Sequence, residues 1–169
     1  MRDVMIRPYH PSDLEPCRAL WAELTLHHRK IYNDSTIGGD APGFFFDRHL
    51  ARVGPGRIWV AEQEGKVIGL VGLIVNDQEA EVEPIVVAST HRHQGIGRAL
   101  LGRMIEEAGK LGVRYLGVRP VARNVDAIAF FHDAGFRTLG HIELFIELTP
   151  SAPGEWKSGL ELFGHAFGY

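Results

Sequence analysis

Residues 92–97, Arg-His-Gln-Gly-Ile-Gly, have the types and spacing that favour binding of a phosphate group. They lead into an amphipathic helix predicted over residues 97–110, and a helix N-terminus presents unpaired N–H groups and the positive end of the helix dipole. The two glycines let the backbone approach a ligand closely, and the guanidinium of Arg92 adds a planar, charged donor. The segment is therefore predicted to cradle a pyrophosphate.

Two common nucleotide-binding motifs do not fit this segment. A P-loop needs Gly-x-x-x-x-Gly-Lys followed by Ser or Thr, and the chain contains no such string. A dinucleotide-binding Rossmann motif needs a third glycine where the chain has Leu100, and an acidic residue about twenty positions further on. Residues 111–123 contain no acidic side chain. The remaining interpretation is a cradle for the pyrophosphate of coenzyme A.

Two strings of the sequence resemble motifs of the GCN-related N-acetyltransferases, the GNAT superfamily. Residues 92–101 contain Arg-x-x-Gly-x-Gly followed by Arg-Ala-Leu-Leu, which resembles motif A of the family. Residues 124–136 resemble its Asn-x-x-Ala-x-x-Phe-Tyr-x-x-x-Gly-Phe motif. The predicted elements upstream also occur in the family's order, so the resemblance covers about residues 3–148.

The resemblance implies that acetyl-CoA is the cosubstrate. Backbone groups of the strand that ends before the cradle would pair with the pantetheine arm, which requires a local bulge that Pro84 could supply. Asn124 would reach the pantetheine or thiol end, although a helix N-cap is an equally good interpretation of this residue. The predicted cofactor-binding residues are Ile85, Val86, Val87, Arg92, His93, Gln94, Gly95, Ile96, Gly97, Arg98, Asn124 and Phe131. The histidines lack a metal-ligand spacing such as His-Glu-x-x-His, so no metal is expected.

Glu83 and Glu81 are the candidates for a general base. The implied reaction transfers an acetyl group directly to a primary amine, and an ammonium group must lose a proton before it can attack a thioester. The two glutamates alternate with apolar residues and so share one face of the strand that leads into the cradle. Glu83 is preferred because it lies closer to the cofactor arm, whereas Glu81 resembles the base position of some family members. A backbone N–H at Val86 or Val87 would meet the oxyanion.

The acceptor is predicted from charge and from the resemblance. Glu79 lies on the same strand face as the two candidate bases, and three acidic residues together would attract a cationic acceptor. The resemblance places a small-molecule or peptide amine beside the first two helices and their connecting loop. The candidate acceptor contacts there are Tyr32, Asp34 and Phe45. The identity of the amine stays open.

Phe131 departs from the family's pattern. Many members carry a tyrosine at this position, usually assigned as the acid that protonates the departing thiolate, and phenylalanine cannot do this. A thiol with a pKa of about 8.5 leaves well without protonation, so an active enzyme remains the first hypothesis. The alternative is a non-catalytic acyl-CoA-binding or sensor module of the same fold. A third hypothesis is transfer of a longer acyl group, or transfer to a hydroxyl.

Composition and charge exclude several other classes of protein. The chain has 169 residues, of which 45% are hydrophobic and 23% charged, and these values exclude wholesale disorder. A net charge of −3 does not favour a nucleic-acid partner, and the longest apolar stretch is too short to span a bilayer. With a single cysteine and no apolar N-terminal signal, we expect a cytoplasmic protein that binds neither nucleic acid nor membrane. Homodimers are common in the family, so a homodimer stays open.

The elements that must position these residues form an α+β pattern. Helices are predicted over residues 12–30, 42–53, 97–110 and 124–134, and strands over residues 3–8, 58–61, 67–75, 79–88 and 113–118, with one or two more over 138–148. With the resemblance, this order implies the GNAT fold: an α/β/α sandwich built on a mixed, mostly antiparallel sheet with splayed central strands.

Finer expectations concern the ends of these elements. A capping box of Ser12 and Glu15 is expected to open the first helix. The apolar run after Pro84 is expected to be buried on both faces, as in a central strand. The acetyltransferase domain is expected to span residues 1–148, and an aromatic tail, residues 149–169, to pack on the same domain.

Overall fold

A computed structural model describes residues 3–148 and 156–169. Its main sheet has five strands in sequence order: β1 (Met5–Pro8), β2 (Ile58–Gln63), β3 (Lys66–Asn76), β4 (Glu79–Val87) and β5 (Tyr115–Gly117). The first four strands pair antiparallel, and β5 pairs parallel with β4. The predicted mixed, mostly antiparallel sheet is confirmed.

Helices cover both faces of this sheet. On one face, α1 (Leu14–Tyr32) and α2 (Phe45–Val53) enclose a core with the strands, formed by Cys17, Leu20, Phe46, Ile58, Val60, Leu70 and Val86. On the other face, α3 (Ile96–Lys110) buries five residues, Ile96, Leu100, Leu101, Met104 and Ala108. The predicted α/β/α layering is therefore present, although the sequence-predicted buried face of α3 also included Ala99, which is exposed.

The start of α1 differs from the prediction. The Ser12–Glu15 capping box is absent, and a single 3₁₀ turn precedes the helix instead. The His10 side chain accepts from the Ser12 N–H, and the Asp13 carboxylate accepts from the His10 N–H at 2.8 Å. Asp13 also accepts two hydrogen bonds from Arg7 of β1, at 2.7 and 2.9 Å, and is 4% exposed. The contact with Arg7 fixes Asp13 and so moves the capping interaction earlier in the chain.

Replacing Asp13 with asparagine is expected to lower the free energy of unfolding by about 1.5–3 kcal/mol at neutral pH, the usual worth of hydrogen bonds to a charged group. The hydrogen bonds from Arg7 hold the pKa of the Asp13 carboxyl below its ordinary value. The contribution is therefore complete above the ordinary pKa of about 4 and is lost as the pH falls through the lowered pKa. Urea denaturation in a series of buffers from neutral to acidic measures both effects.

The control for this prediction is a carboxylate whose ion pairs lie within one helix. Glu107 pairs with Lys110 at 2.8 Å and with Arg103 at 3.4 Å, and all three residues belong to α3. Glu107→Gln is expected to change the free energy of unfolding by less than about 1 kcal/mol, because ion pairs between neighbours on one helix contribute little. A penalty of Asp13→Asn that stays constant on acidification would contradict the assignment.

The strand β4 carries a bulge where it approaches its C-terminal end. Val71 of β3 pairs with Ile85 and Leu73 pairs with Val82, so β4 has one residue more than β3 between these pairs. The extra residue falls at Glu83–Pro84, opposite Gly72, which confirms the predicted bulge. The expectation that the run after Pro84 is buried on both faces is wrong, because Ile85 and Val87 are half-buried. One side of this strand end is open to a ligand.

The strand β5 is shorter than predicted. It covers three residues instead of the six expected over 113–118, and it pairs only with residues 79–81 of β4. Within the described residues, β4 has no strand partner on this side beyond Glu81. Among the described strands, the part of β4 after Glu81 is therefore paired only on its β3 side, which leaves its other edge free where the splay was predicted.

Residues from Pro120 onward form a second compact unit, and the residues up to Arg119 form the first. The second unit contains α4 (Val125–Asp133) and a two-stranded hairpin of β6 (Leu160–Leu162) and β7 (His165–Phe167). Within it, Tyr169 exchanges two backbone hydrogen bonds with Lys157 and accepts one from the Arg123 side chain. The described part of the tail thus packs inside this unit, and residues 149–155 lie outside the described residues. The boundary at residue 148 stays a prediction.

The strands expected over residues 138–148 are absent. This segment has no regular secondary structure, and its apolar side chains are exposed, Ile146 by 82% and Leu148 by 89%. Alternation alone shows only that a segment could form a strand, because a ladder also needs a neighbouring strand to pair with.

In the described part of the chain, no helix is both long enough and apolar enough to cross a membrane.

Candidate active site

Both predicted base residues lie on β4, and each is paired with an arginine. The Glu83 carboxylate is 3.0 Å from the Arg52 guanidinium and 4.0 Å from Nδ1 of His49, both on α2. The Glu81 carboxylate is 3.0 Å from the guanidinium of Arg119. The side chain of Glu83 is 42% exposed and that of Glu81 only 14%. Both candidate bases of the predicted acidic face are therefore paired with a positively charged side chain.

The Glu81 carboxyl group has an altered proton affinity. Burial raises the pKa of Glu81 above the ordinary glutamate value, and the nearby charge of Arg119 offsets part of this rise. The negative charge of Glu83 raises the same pKa by a smaller amount, because a nearby like charge disfavours the ionised form. A buried carboxylate with a raised pKa is better matched to take a proton near neutral pH than an ordinary one.

A cavity of about 280 Å³ lies beside Glu83. Its walls come from α1, α2 and β4, and its lining residues are Trp21, Phe45, Arg48, His49, Arg52 and Glu83. Of the three predicted acceptor contacts, Phe45 lines this cavity, and Tyr32 and Asp34 do not. The Asp34 carboxylate accepts instead from the backbone and hydroxyl of Thr36, at 2.8 and 2.6 Å, and so shapes its own loop. Tyr32 is the last residue of α1.

His49 is a residue that the sequence analysis missed. Its side chain is buried, and its ring centroid is 5.2 Å from that of Trp21. Burial lowers the pKa of the imidazole, which is therefore neutral near pH 7. Within the residues that the structure describes, its Nε2 has no hydrogen-bond partner. The imidazole thus fixes one wall of the cavity, and its other nitrogen, Nδ1, lies 3.4 Å from Nη2 of Arg52 and 4.0 Å from the Glu83 carboxylate.

Gly72 makes this arrangement possible. It lies on β3 opposite the bulge, and a Cβ at this position would come within 2.5 Å of the Glu83 carbonyl oxygen and 2.8 Å of Nε2 of His49. These distances are shorter than any ordinary contact, and the first involves a backbone atom that cannot rotate away. The absence of a side chain at residue 72 therefore lets α2 pack directly against the bulged strand.

The predicted pyrophosphate cradle has the expected backbone geometry. Gly95 has φ +82° and lies immediately before α3, and His93 has φ +60°. Within residues 3–148 and 156–169, no side chain caps this helix. The N–H groups of its first turn, from Ile96 to Arg98, have no intrahelical acceptor because of the helix geometry itself. Gln94 and Arg98 are exposed beside them. This helix end can bind an anion.

Arg92 ties the cradle to the end of β4. Its Nε donates to the Val87 carbonyl at 3.1 Å, and its guanidinium is 3.7 Å from the carboxylate of Glu23 on α1. The same carboxylate accepts from the Ser89 N–H. The Arg92 guanidinium, which the sequence predicts to contact phosphate, is thus already paired with Val87 and Glu23. These contacts stiffen the loop that leads to α3.

The remaining predicted site residues lie in the second unit. The Asn124 side chain caps α4 by accepting from the Ala127 N–H at 3.2 Å, which confirms the N-cap interpretation. Phe131 is 7% exposed, and its ring lies 5.2 Å from that of Phe130 and 5.8 Å from that of Phe136. It is therefore part of an aromatic cluster. Across the described ranges, no group of three or more His, Cys, Asp or Glu side chains is arranged to hold a metal ion.

Comparisons with known proteins identify the family. The sequence profile of the acetyltransferase (GNAT) family matches residues 18–136. Human N-acetyltransferase 8 is 30% identical over 88 residues, which are 48% of this chain and 39% of that protein. The Escherichia coli (strain K12) ribosomal protein bS18-alanine N-acetyltransferase is 38% identical over 74 residues, 44% of this chain and 50% of that protein. The matched region thus spans half or less of these curated relatives. The chain belongs to the GNAT family.

Solved structures agree with this assignment. The crystal structure of the ribosomal-protein-S18-alanine N-acetyltransferase from Escherichia coli matches with a TM-score of 0.57 and 26% identity, covering 79% of this chain and 77% of that one. The aminoglycoside N-acetyltransferase AAC(6')-Iy in complex with CoA matches with a TM-score of 0.61, covering 87% and 96% of the two chains. Its identity of 13% makes it evidence for the fold alone.

Proposed function

We propose that this protein is an acetyl-CoA-dependent N-acetyltransferase that transfers the acetyl group directly to a primary amine. The observation that carries the proposal is the N-terminus of α3, which no side chain of the described residues caps and which residues 88–95 connect to the bulged strand that bears Glu81 and Glu83. Membership of the GNAT family supports acetyl transfer, and the two curated relatives described above are N-acetyltransferases by name. A cytoplasmic location and a homodimer remain predictions from the sequence.

The residues of the cradle fit the pyrophosphate of coenzyme A. Backbone N–H groups from Ile96 to Arg98 would hold the phosphates, with His93, Gln94 and Gly95 shaping the approach. Backbone groups of Ile85, Val86 and Val87 would pair with the pantetheine arm on the half-open end of β4. The roles of Asn124 and Phe131 in cofactor binding stay predictions from the resemblance. A solved GNAT enzyme with bound CoA supports this choice of cosubstrate.

The chemistry proposed for this site is a direct displacement. Glu83 takes a proton from the acceptor's ammonium group, which frees the nitrogen lone pair to attack the thioester carbonyl carbon. The backbone N–H of Val87 stabilises the oxyanion that forms, because the N–H of Val86 points toward β3, as does that of Ala88, which donates to the Ile68 carbonyl at 2.9 Å. The carbon–sulfur bond then breaks, the electron pair leaves with the sulfur, and the nitrogen gives up its second proton to solvent water. A thiolate of pKa about 8.5 needs no acid from the protein, so Phe131 does not prevent turnover.

Glu81 is the alternative base. Its raised pKa suits proton transfer, but it does not line the cavity, so it would act through an intervening water. Glu83 is preferred because it lines the cavity itself.

A non-catalytic acyl-CoA-binding module is the second candidate function. Phe131 favours it, because this residue lies in an aromatic cluster and has no hydroxyl group to act as an acid.

Replacing Gly97 with aspartate tests the cradle. The new carboxylate would lie in the first turn of α3, where it favours the helix but repels phosphate. We expect the Kd for CoA to rise at least about tenfold, the effect of one lost or opposed charged contact. Isothermal titration calorimetry measures this Kd, and circular dichroism confirms that the helix persists.

The matched control is Gly102→Asp, on the same helix at a position where a Cβ meets no atom within 4 Å. It adds the same charge to the same helix, away from its N-terminus, and should leave the Kd for CoA unchanged. An unchanged Kd in Gly97→Asp, or an equal loss in both variants, would reject the cradle as the cofactor site.

A further inference from the structure

The cavity beside Glu83 carries two guanidinium groups. Arg52 lies against the Glu83 carboxylate and keeps 57% of its side chain exposed. Arg48 is also exposed, and its guanidinium lies 5.4 Å from the centroid of the Phe45 ring. Among the described residues, Arg48 makes no ion pair. With one carboxylate against two guanidiniums and a neutral imidazole, the lining of the cavity has a net positive charge.

The size and walls of the cavity restrict what it can hold. Its volume of about 280 Å³ is near the lower end of the range for small-molecule sites, which runs from about 300 to 1,000 Å³. Trp21 and Phe45 provide aromatic surface, and the buried His49 closes the wall between them and β4. Such a space suits a group of amino-acid size with an apolar side chain better than a long polar chain.

We propose, building on the acetyltransferase function above, that the acceptor is an α-amino acid or a close analogue, whose carboxylate is bound by Arg48 and Arg52. Arginine pairs with carboxylates through two parallel hydrogen bonds, and this geometry is specific to planar anions. The ammonium group of the same molecule would lie on Glu83. The cavity thus offers one partner for each charge of a zwitterion.

The spacing of the charges supports a carboxylate close to the amine. Nη2 of Arg52 and Oε1 of Glu83 are only 3.0 Å apart. An acceptor that contacts both must therefore hold its ammonium and its carboxylate close together, as they are on a single carbon. A polyamine or an aminoglycoside would instead bring a second cation toward the two guanidiniums, and this repulsion disfavours it.

Paired acceptors that differ only in the carboxylate test this inference. Alanine, leucine and phenylalanine are titrated into CoA-saturated protein by calorimetry, and each is compared with its α-carboxamide. We expect at least one amino acid to bind about tenfold more tightly than its amide, as for one charge-assisted contact. Arg48→Ala should remove this difference. Arg114→Ala should retain it, because Arg114 also lies over a ring, that of Tyr115 at 5.1 Å, but outside the cavity.

Three results would overturn the inference. They are amides that bind as tightly as the amino acids, no binding of either compound, and a preference for the amino acid that survives Arg48→Ala. The companion assay follows thiol release from acetyl-CoA with the same compounds. Amino acids that bind with an Arg48-dependent preference but release no thiol would reject the transferase and keep the site. Equal acetylation of acids and amides would keep the transferase and reject the carboxylate site.

Discussion

Replacing Glu83 with glutamine is expected to lower kcat/KM for acetyl transfer by a factor of about 10²–10⁴, the usual contribution of a general base. Glutamine keeps the size of the side chain but cannot take the proton of the acceptor's ammonium group. The Kd for CoA should not change, because Glu83 lies before the part of β4 that would meet the cofactor. Steady-state kinetics and calorimetry on the same preparation separate the two effects.

Two further variants sharpen this result. Glu81→Gln distinguishes the candidate bases, and Glu106→Gln, an exposed residue on α3, controls for a general loss of charge. If Glu81 were the base, its variant would show the larger loss. The wild-type rate would then fall with acidification at a pH above the ordinary glutamate value, because burial raises the pKa of Glu81. Full activity in both β4 variants would exclude a general base on this strand.

Replacing Gly72 with alanine is expected to destabilise the fold by about 1–3 kcal/mol and to lower acetyl transfer at the same time. The new methyl group would overlap the Glu83 carbonyl oxygen at 2.5 Å and the His49 ring at 2.8 Å. Relief of this overlap must move either the bulge of β4 or helix α2. Both movements displace Glu83 from the cavity, so stability and kcat/KM should fall together.

The control for Gly72 is another glycine in the sheet. A Cβ on Gly117 of β5 would meet only the Ala80 carbonyl oxygen, at 3.8 Å, an ordinary contact distance. Gly117→Ala should therefore change the free energy of unfolding by less than about 0.5 kcal/mol, as typical surface substitutions do. Equal midpoints of urea unfolding for the two variants would show that close packing at Gly72 is not a constraint.

Local sequence was enough to predict the helix start and the strand bulge at which we propose that the cofactor binds. The cradle follows from glycines, an arginine and a helix start within a few residues, and α3 follows from its own apolar spacing. The alternation of β4 is also local, and so is the bulge at Pro84, since proline has no N–H to donate to the ladder. Each of these features depends on neighbouring residues, which a sequence shows directly.

The cavity beside Glu83 depends on contacts between distant residues, and for that reason the sequence predicted only Phe45 and Glu83 among its lining residues. Arg52 and Glu83 are 31 positions apart, and nothing in either neighbourhood indicates that α2 packs over the bulge. The one available signal was the spacing of His49 and Arg52 on a single helix face. The start of α1 failed in the same way, because Arg7 of β1 fixes Asp13 and overrides the local capping pattern.

The most direct test of the central claim is the release of CoA thiol from acetyl-CoA in the presence of pooled primary amines, measured against an amine-free control. The account predicts amine-dependent release, matched by an equal amount of N-acetylated product in mass spectrometry. Pools that contain α-amino acids should give the highest rates. Release no faster than in the control, from protein that calorimetry shows to bind CoA, would contradict the assignment as an N-acetyltransferase.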